Sequence, residues 1–199
     1  MNAARQRYAS DQIDFDVLRN GHKVGTHRVR FEEHDGALRV ASRMELRLRL
    51  FFIEAYHFRY DSSETWCNDR LAALEANTDD NGTLSRVRAR RDAAELRLEQ
   101  ADGLRTVSDA SFPTTHWKKP PAESTEALNT ITGQLNRIQV KPCGELLPGL
   151  KDAAGCRDYT GELKARVWYD EAGRWHGLAF DGRDGSRIEY RLARRTADP

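Results

Sequence analysis

The sequence predicts an all-β protein, a strongly curved half-barrel or open barrel of about 11–12 mostly antiparallel strands. Two observations support this fold class. Apolar and polar residues alternate with a period of two over long stretches, and pairs such as Asn-Gly and Asp-Gly separate those stretches at hairpin spacing. A third observation is a proline-rich interruption, SFPTTHWKKPP at residues 111–121. We expect this interruption to act as a short helix or loop plug in the barrel.

Length and composition favour one domain. A chain of 199 residues fits a single β core, and we expect a flexible lead-in at residues 1–11 followed by one domain at residues 12–195. The formal net charge of +1 gives no overall field that would attract nucleic acid, so no nucleic-acid partner is predicted. No stretch approaches the ~18 apolar residues of a membrane span, so none is expected.

The chain opens with a hairpin. Residues 13–18 form a short strand that ends at Asn20-Gly21, the strongest short-range hairpin signal because both residues tolerate positive φ. The partner strand, residues 24–33, ends at a second such turn, Asp35-Gly36.

The third strand, residues 38–50, is the clearest in the chain. Its apolar residues alternate with arginines and other polar residues, which predicts one dry face and one wet face and excludes a helix. Phe51-Phe52 breaks the alternation, which predicts a bend or a bulge there. In the next strand Tyr56, Phe58 and Tyr60 share one face.

Short strands continue to Val107, with turns at residues 68–69, 79–82 and 102–103. About eight strands therefore precede the interruption. Their connections are so short that antiparallel neighbours are nearly forced.

The plug segment covers residues 109–133. Its second part, residues 124–132, places Leu128 and Ile131 at helical spacing behind a possible Ser124 cap, and Gly133 would end the helix. This is the one helix that the sequence predicts.

Strands then resume at residues 134–141, 159–169, 174–180 and 187–192. Cys143 and Cys156 flank a loop that contains glycine and proline, and two interpretations stay open: a disulfide bond, or two unpaired thiols. Cys67 is the odd thiol.

The plug also carries the candidate site. His116 and Trp117, with Thr114 and Thr115, would border a cavity in which the indole stacks on a ligand and the imidazole exchanges a proton. The alternative is that Trp117 fills the core and His116 bonds to backbone. The same two interpretations apply to the aromatic face of Tyr56, Phe58 and Tyr60, as pocket lining or ordinary core.

The remaining motifs predict no catalytic chemistry. The histidines show no close ligand pairing, the glycines fall at hairpins, and no nucleophile elbow is present. We therefore predict no metal, no cofactor and no catalytic residue.

Arginines recur on the wet faces of two strands and leave another alternative open. They could form a positive strip for phospholipid headgroups or another anionic partner, or a solvated face neutralised by acidic neighbours. The arginines in question are Arg39, Arg43, Arg47, Arg49, Arg86, Arg88 and Arg90.

Several stretches, spread from about Ile13 to Leu192, resemble a family of secreted bacterial proteins of unknown function. That family is similar, more distantly, to the half-barrel of the periplasmic lipoprotein carriers and outer-membrane lipoprotein receptors, in which a curved sheet encloses an apolar cavity. The stretches are FDVLRNGHKVGTHRVRFEEHDGALRVASRMEL, YDSSETWCNDRLAALEANTDDNG, THW with a later Thr-Gly turn, and VWYDEAGRWHGLAFDGRDGSRIEY.

The resemblance implies a fold and a compartment, and it carries no catalytic motif to this chain. Members of the family usually begin with a signal peptide, and this sequence starts with a polar stretch. A periplasmic or secreted location is therefore expected, with the leader replaced at Met1, and a cytoplasmic start is the alternative.

The leading functional hypothesis is a non-enzymatic protein of the periplasm or cell envelope that binds an apolar or amphiphilic ligand, such as a lipid or acyl group, in the concave face of the sheet. One alternative is an envelope enzyme that uses His116 as general acid or base. The other is a scaffold that binds a partner protein. The sequence assigns no oligomeric state.

Overall fold

One continuous β-sheet runs through the chain. The computed structural model describes residues 11–50, 52–100, 103–108, 111–121, 124–147 and 155–193. Before the central interruption the strands are β1 Gln12–Arg19, β2 His22–His34, β3 Ala37–Leu50, β4 Ile53–Cys67, β5 Arg70–Asp80, β6 Thr83–Asp92, β7 Glu95–Gln100 and β8 Gly103–Val107. After it they are β9 Phe112–Pro113, β10 Glu126–Leu128, β11 Leu135–Pro142, β12 Arg157–Gly161, β13 Ala165–Tyr169, β14 Trp175–Asp181 and β15 Arg187–Leu192.

The strand order consists of two meanders joined in the middle. It runs β8-β7-β6-β5-β4-β3-β2-β1-β15-β14-β13-β12-β11-β10-β9, so the first and last strands are neighbours. All described pairs are antiparallel except β9 with β10. No backbone pairing joins β8 to β9 among the described residues, and the sheet is open there. We call this gap the seam. The predicted all-β, mostly antiparallel, open-barrel class is confirmed.

The tight turns occur where the sequence predicts them. Asn20 and Gly21 have φ values of 50° and 82°, and Asp35 and Gly36 have 50° and 76°. These positive values are what a two-residue hairpin turn requires, and they suit Asn, Asp and Gly.

The predicted helix at residues 124–132 is wrong, and the described residues contain no helix. Residues 126–128 form β10 instead, which pairs with β11 through a tight turn. The Asn129 side chain accepts hydrogen bonds from the backbone N–H groups of Ile131 and Thr132. Gly133, with a φ of 74°, serves this turn and caps no helix. The β-branched residues around it favour the extended form.

The described residues contain fifteen strands, against the predicted 11–12. Two of the additional strands are β9 and β10, inside the predicted plug. The third arises because residues 159–169, predicted as one strand, form β12 and β13 with a turn between them. Gly161, with a φ of 111°, ends β12 where a Cβ would lie 2.6 Å from the carbonyl oxygen of Arg137.

The core lies on the concave face. Register pairs align inward-facing residues of neighbouring strands in rows. One row crosses six strands and is apolar except for a single carboxylic acid: Phe31, Val40, Glu64, Leu74, Ala89 and Leu98.

A small second cluster lies apart from this core. Cys143 and Cys156 form a disulfide bond with their Cα atoms 5.1 Å apart. Cys156 packs with Leu147, Trp168 and Ala179, and the indole N–H of Trp168 donates to the carbonyl of Glu145 at 2.9 Å. The disulfide thus joins the two ends of the loop between β11 and β12, and Cys156 packs against side chains of β13 and β14.

Candidate functional site

The central segment, residues 111–121, packs against the concave face of the sheet. Its start, Phe112–Pro113, is β9, and the N–H of Thr114 donates to the carbonyl of Leu128 at 3.0 Å. Trp117 is 2% exposed and meets Phe31 and Trp66 edge to face, with ring centroids 5.6 and 5.4 Å away. Of the two interpretations left open for Trp117, the structure agrees with the one in which it fills the core. Its side chain fills the concave space.

Glu64 is the buried charge at the centre of this packing. Its carboxylate accepts the indole N–H of Trp66 at 2.7 Å and that of Trp117 at 3.2 and 3.3 Å. Burial raises the pKa of Glu64 to about 7, although hydrogen bonds from Trp66, Trp117 and Thr115 and the charge of Lys118 act in the opposite direction. Glu64 therefore joins the central segment to β4 through hydrogen bonds.

Lys118 lies at the edge of this cluster, over the ring of Trp66. Its Nζ lies 4.4 Å from the centroid of the Trp66 ring, a cation–π contact. The same atom donates to the backbone carbonyl of Asp69 at 2.7 Å and lies 2.9 Å from its carboxylate. Lys118 is half-buried, with its apolar stem covered and its charge at the surface.

His116 lies among aromatic rings. It adopts a φ of 61° and its ring centroid is 5.9 Å from that of Tyr159 and 5.7 Å from that of Trp175. Its Nδ1 is buried without a hydrogen-bond partner in the described part of the chain. Burial lowers the pKa of His116 to about 4, so the ring is neutral near pH 7. General acid–base chemistry needs a polar partner within hydrogen-bond reach, and Nδ1 has none among the described residues.

A second buried histidine, His27 on β2, was not among the predicted site residues. Its ring lies 5.5 Å from both Trp175 and Tyr190, and neither ring nitrogen has a hydrogen-bond partner in the described residues. Burial, followed by the nearby His116, lowers the pKa of His27 to about 3. The sequence does indicate that His27 faces inward, because the alternation along β2 places it on the same face as Val29 and Phe31.

The other predicted site residues divide into two places. The Tyr60 hydroxyl donates to Thr130 Oγ1 at 2.8 Å, and the N–H of Thr130 donates to Thr114 Oγ1 at 3.2 Å, so Tyr60 and Thr114 meet through Thr130. Tyr56 lies towards the other end of β4, where its hydroxyl donates to Asp80 at 2.7 Å. Phe58 is buried between these positions.

A cleft of about 620 Å³ opens beside the central segment, at the seam of the sheet. Apolar side chains from both sides of the seam form its walls. Four cationic residues and two acidic ones, Asp69 and Glu171, also line it. The apolar walls are Trp66, Leu71, Leu96, Val107, Phe112, Pro113 and Leu128, and the cations are Arg70, Arg91, Lys118 and Lys119.

Of the predicted site residues, only Thr115 lines this cleft. His116 and Trp117 lie behind it, since they fill the concave face. Leu71, Leu96 and Val107 were missed because their role depends on curvature that brings β8 near β9. The sequence feature that could have pointed to this cleft is the position of β8, which is the last strand before the interruption.

The described residues contain no cluster of three or more His, Cys, Asp or Glu side chains arranged to hold a metal ion. They also contain no helix long and apolar enough to cross a membrane.

Comparison with solved structures supports the fold. The chain resembles a β-barrel-like protein of the domain of unknown function DUF1849 from Brucella abortus, with a TM-score of 0.58 and 9% sequence identity over 92% of this chain and 95% of that one. No curated protein matches the sequence. The predicted resemblance to a β family of unknown function is confirmed, since residues 15–193 match the family described as domain of unknown function DUF6134. The chain belongs to the DUF6134 family.

Proposed function

We propose that the seam cleft binds an amphiphilic molecule with an apolar chain and an anionic head, such as a fatty acid or a lipid fragment. The observation that carries this proposal is an apolar-walled cleft of about 620 Å³ lined also by four cationic side chains. Ligand sites are typically concave, mostly apolar spaces of about 300–1,000 Å³ with a few polar groups that orient the ligand.

The walls provide the affinity. Leu71, Leu96, Val107, Phe112 and Leu128 line the cleft from both sides of the seam, and each is at most 6% exposed. An acyl chain placed between them would remove mainly its own apolar area from water, at about 25 cal/mol per Å² before ordering costs are subtracted.

The cations provide orientation. Lys118 is fixed by Asp69 and by the Trp66 ring, so its ammonium group is held in place before a ligand arrives. Lys119, Arg70 and Arg91 add positive charge, opposed by Asp69 and Glu171. A carboxylate or phosphate head would be drawn to this excess of positive charge, with its chain directed between the apolar walls.

A periplasmic or secreted location is part of the proposal. The disulfide between Cys143 and Cys156 supports it, because such bonds persist in oxidising compartments.

The test is binding of a fluorescent fatty acid, together with native mass spectrometry of gently purified protein. Val107→Gln places an amide in the cleft wall and should weaken binding about tenfold. Leu104→Gln is the matched control, because Leu104 lies on the same strand, is 63% exposed and is not among the cleft-lining residues. It should leave affinity unchanged.

The charge is tested separately. Lys119→Glu should weaken an anionic fatty acid more than a neutral monoacylglycerol of equal chain length. A protein mass free of any co-purified ligand, combined with no uptake of the probe, would reject the proposal.

A further inference from the structure

The hairpin formed by β3 and β4 projects beyond the rest of the sheet. The last described pairings with neighbouring strands are Gly25 with Leu46 and Phe58 with Asp80. The N–H of Asn81 still donates to the carbonyl of His57 at 2.9 Å. Beyond His57, β3 and β4 pair only with each other among the described residues, from Leu48–Tyr56 to Leu50–Ile53. At about 3.3 Å per residue these three rungs form a two-stranded ribbon about 10 Å long. We call it the ribbon.

The end of the ribbon is apolar and open to solvent. Phe52 is fully exposed and Ile53 is 73% exposed. They are adjacent in the chain and lie at the tip of the ribbon, where β4 begins. Single exposed apolar residues are ordinary on protein surfaces, whereas two bulky ones at the end of a projection are not explained by packing.

Unpaired arginines lie directly behind this tip. Arg47 and Arg49 are exposed, and neither has a carboxylate within 4 Å among the described residues. Further along the sheet Arg43 binds Asp61 at 2.7 Å and Arg86 binds Glu75, whereas Arg39 and Arg90 also have no carboxylate within 4 Å among the described residues. The acidic residue on the ribbon, Glu54, faces His57 Nδ1 at 3.6 Å. The expected neutralisation by acidic neighbours is seen at Arg43, Arg86 and Arg88, and binding of headgroups by the arginines stays a prediction.

We propose that the ribbon docks the protein on an anionic phospholipid surface, with Phe52 and Ile53 inserted among the headgroups and Arg47 and Arg49 against the lipid phosphates. A narrow two-residue tip has too little area for a stable protein interface, which buries about 800 Å² on each partner. It has the form required to enter a headgroup layer, where apolar burial and attraction to anionic lipid act together.

The ribbon and the cleft lie at opposite ends of β4. Ile53 is at its first residue, and Trp66, which lines the cleft, is at its penultimate residue. The strand rise places them about 40 Å apart. The docked protein would therefore hold the seam cleft away from the lipid surface, and the two sites can be tested separately.

The test is co-sedimentation of the full chain with vesicles of phosphatidylcholine alone and of phosphatidylcholine with phosphatidylglycerol, at low salt. We expect binding to the anionic vesicles. The double variant Phe52→Ser/Ile53→Ser should lose it by about tenfold. Arg47→Ala/Arg49→Ala should remove the preference for phosphatidylglycerol and much of the salt dependence.

The matched control is Leu84→Ser/Leu104→Ser, which removes two other exposed leucines, 77% and 63% exposed, and should bind as the wild type does. Thermal unfolding of each variant checks that the fold is retained. No binding of the wild type to anionic vesicles, or equal binding by the Phe52/Ile53 variant, would overturn the proposal. Val107→Gln should leave vesicle binding intact, which separates this site from the cleft.

Discussion

Replacing Glu64 with Gln should remove a defined part of the pH dependence of stability. Glu64 is completely buried in an otherwise apolar row, and its carboxylate accepts hydrogen bonds from Trp66 and Trp117. Burial raises its pKa from 4.5 to about 7. Glutamine keeps the length of the side chain and an oxygen acceptor for an indole, and it cannot ionise.

The raised pKa fixes the sign of the effect. Between pH 4.5 and about 7 the folded protein holds the Glu64 proton and the unfolded chain releases it. Stability from this group is therefore complete at the acid end and is lost as pH rises through the window. The pKa of Glu64 is thus about 2.5 higher in the folded protein than in the unfolded chain, which corresponds to about 3 kcal/mol of unfolding free energy.

The assay is urea unfolding of wild type and Glu64→Gln at about pH 5 and about pH 8. When the pH is raised from about 5 to about 8, the unfolding free energy of the wild type should fall by about 2–3 kcal/mol more than that of the variant. Comparing the two proteins cancels the titration of all other groups. Glu45→Gln, on the exposed face of β3, is the control and should match wild type. A double difference near zero, or of opposite sign, would refute the argument.

Three further predictions concern the core and the disulfide. Trp117→Ala should lower the unfolding free energy by about 3–5 kcal/mol in chemical denaturation, because it empties the centre of the concave face and leaves Glu64 with fewer donors; a loss below 1 kcal/mol would contradict this. The pKa of His27 is lowered from 6.5 to about 3, so the unfolded chain binds the proton first and stability falls as pH drops below about 6.5. His27→Leu should reduce the loss between about pH 8 and about pH 5 by about 2 kcal/mol in urea titrations. Cys143→Ser/Cys156→Ser should lower the unfolding free energy by about 3 kcal/mol, and added reductant should have no further effect on the melting temperature of this variant.

Local sequence patterns carried most of the fold. The alternation along β3 and the Asn-Gly and Asp-Gly turns depend on neighbours in the chain, and the structure agrees with both. The helix predicted at residues 124–132 was wrong because a spacing of three residues between Leu128 and Ile131 occurs in a tight hairpin as well as in a helix. Only pairing with β11 decides between them.

The candidate site was less predictable. Parity along β4 places Glu64 on the same face as Tyr60 and Trp66, so its burial was available from the sequence. Acidic side chains are mostly exposed in proteins, so alternation alone does not single out this position. The cleft walls Leu96 and Phe112 face each other only because the whole sheet curves, and no local pattern contains that information.

The pairing of β1 with β15 also has a consequence for folding. Every other described strand pair joins neighbours in the chain, so each meander assembles by closing short loops. The contact between Phe15 and Leu192 requires opposite ends of the chain to meet. Contacts of such long separation slow folding, and this one aligns two preformed halves. During protein synthesis β1 can pair with β15 only after β15 has been translated. The pairing that completes the sheet therefore forms last.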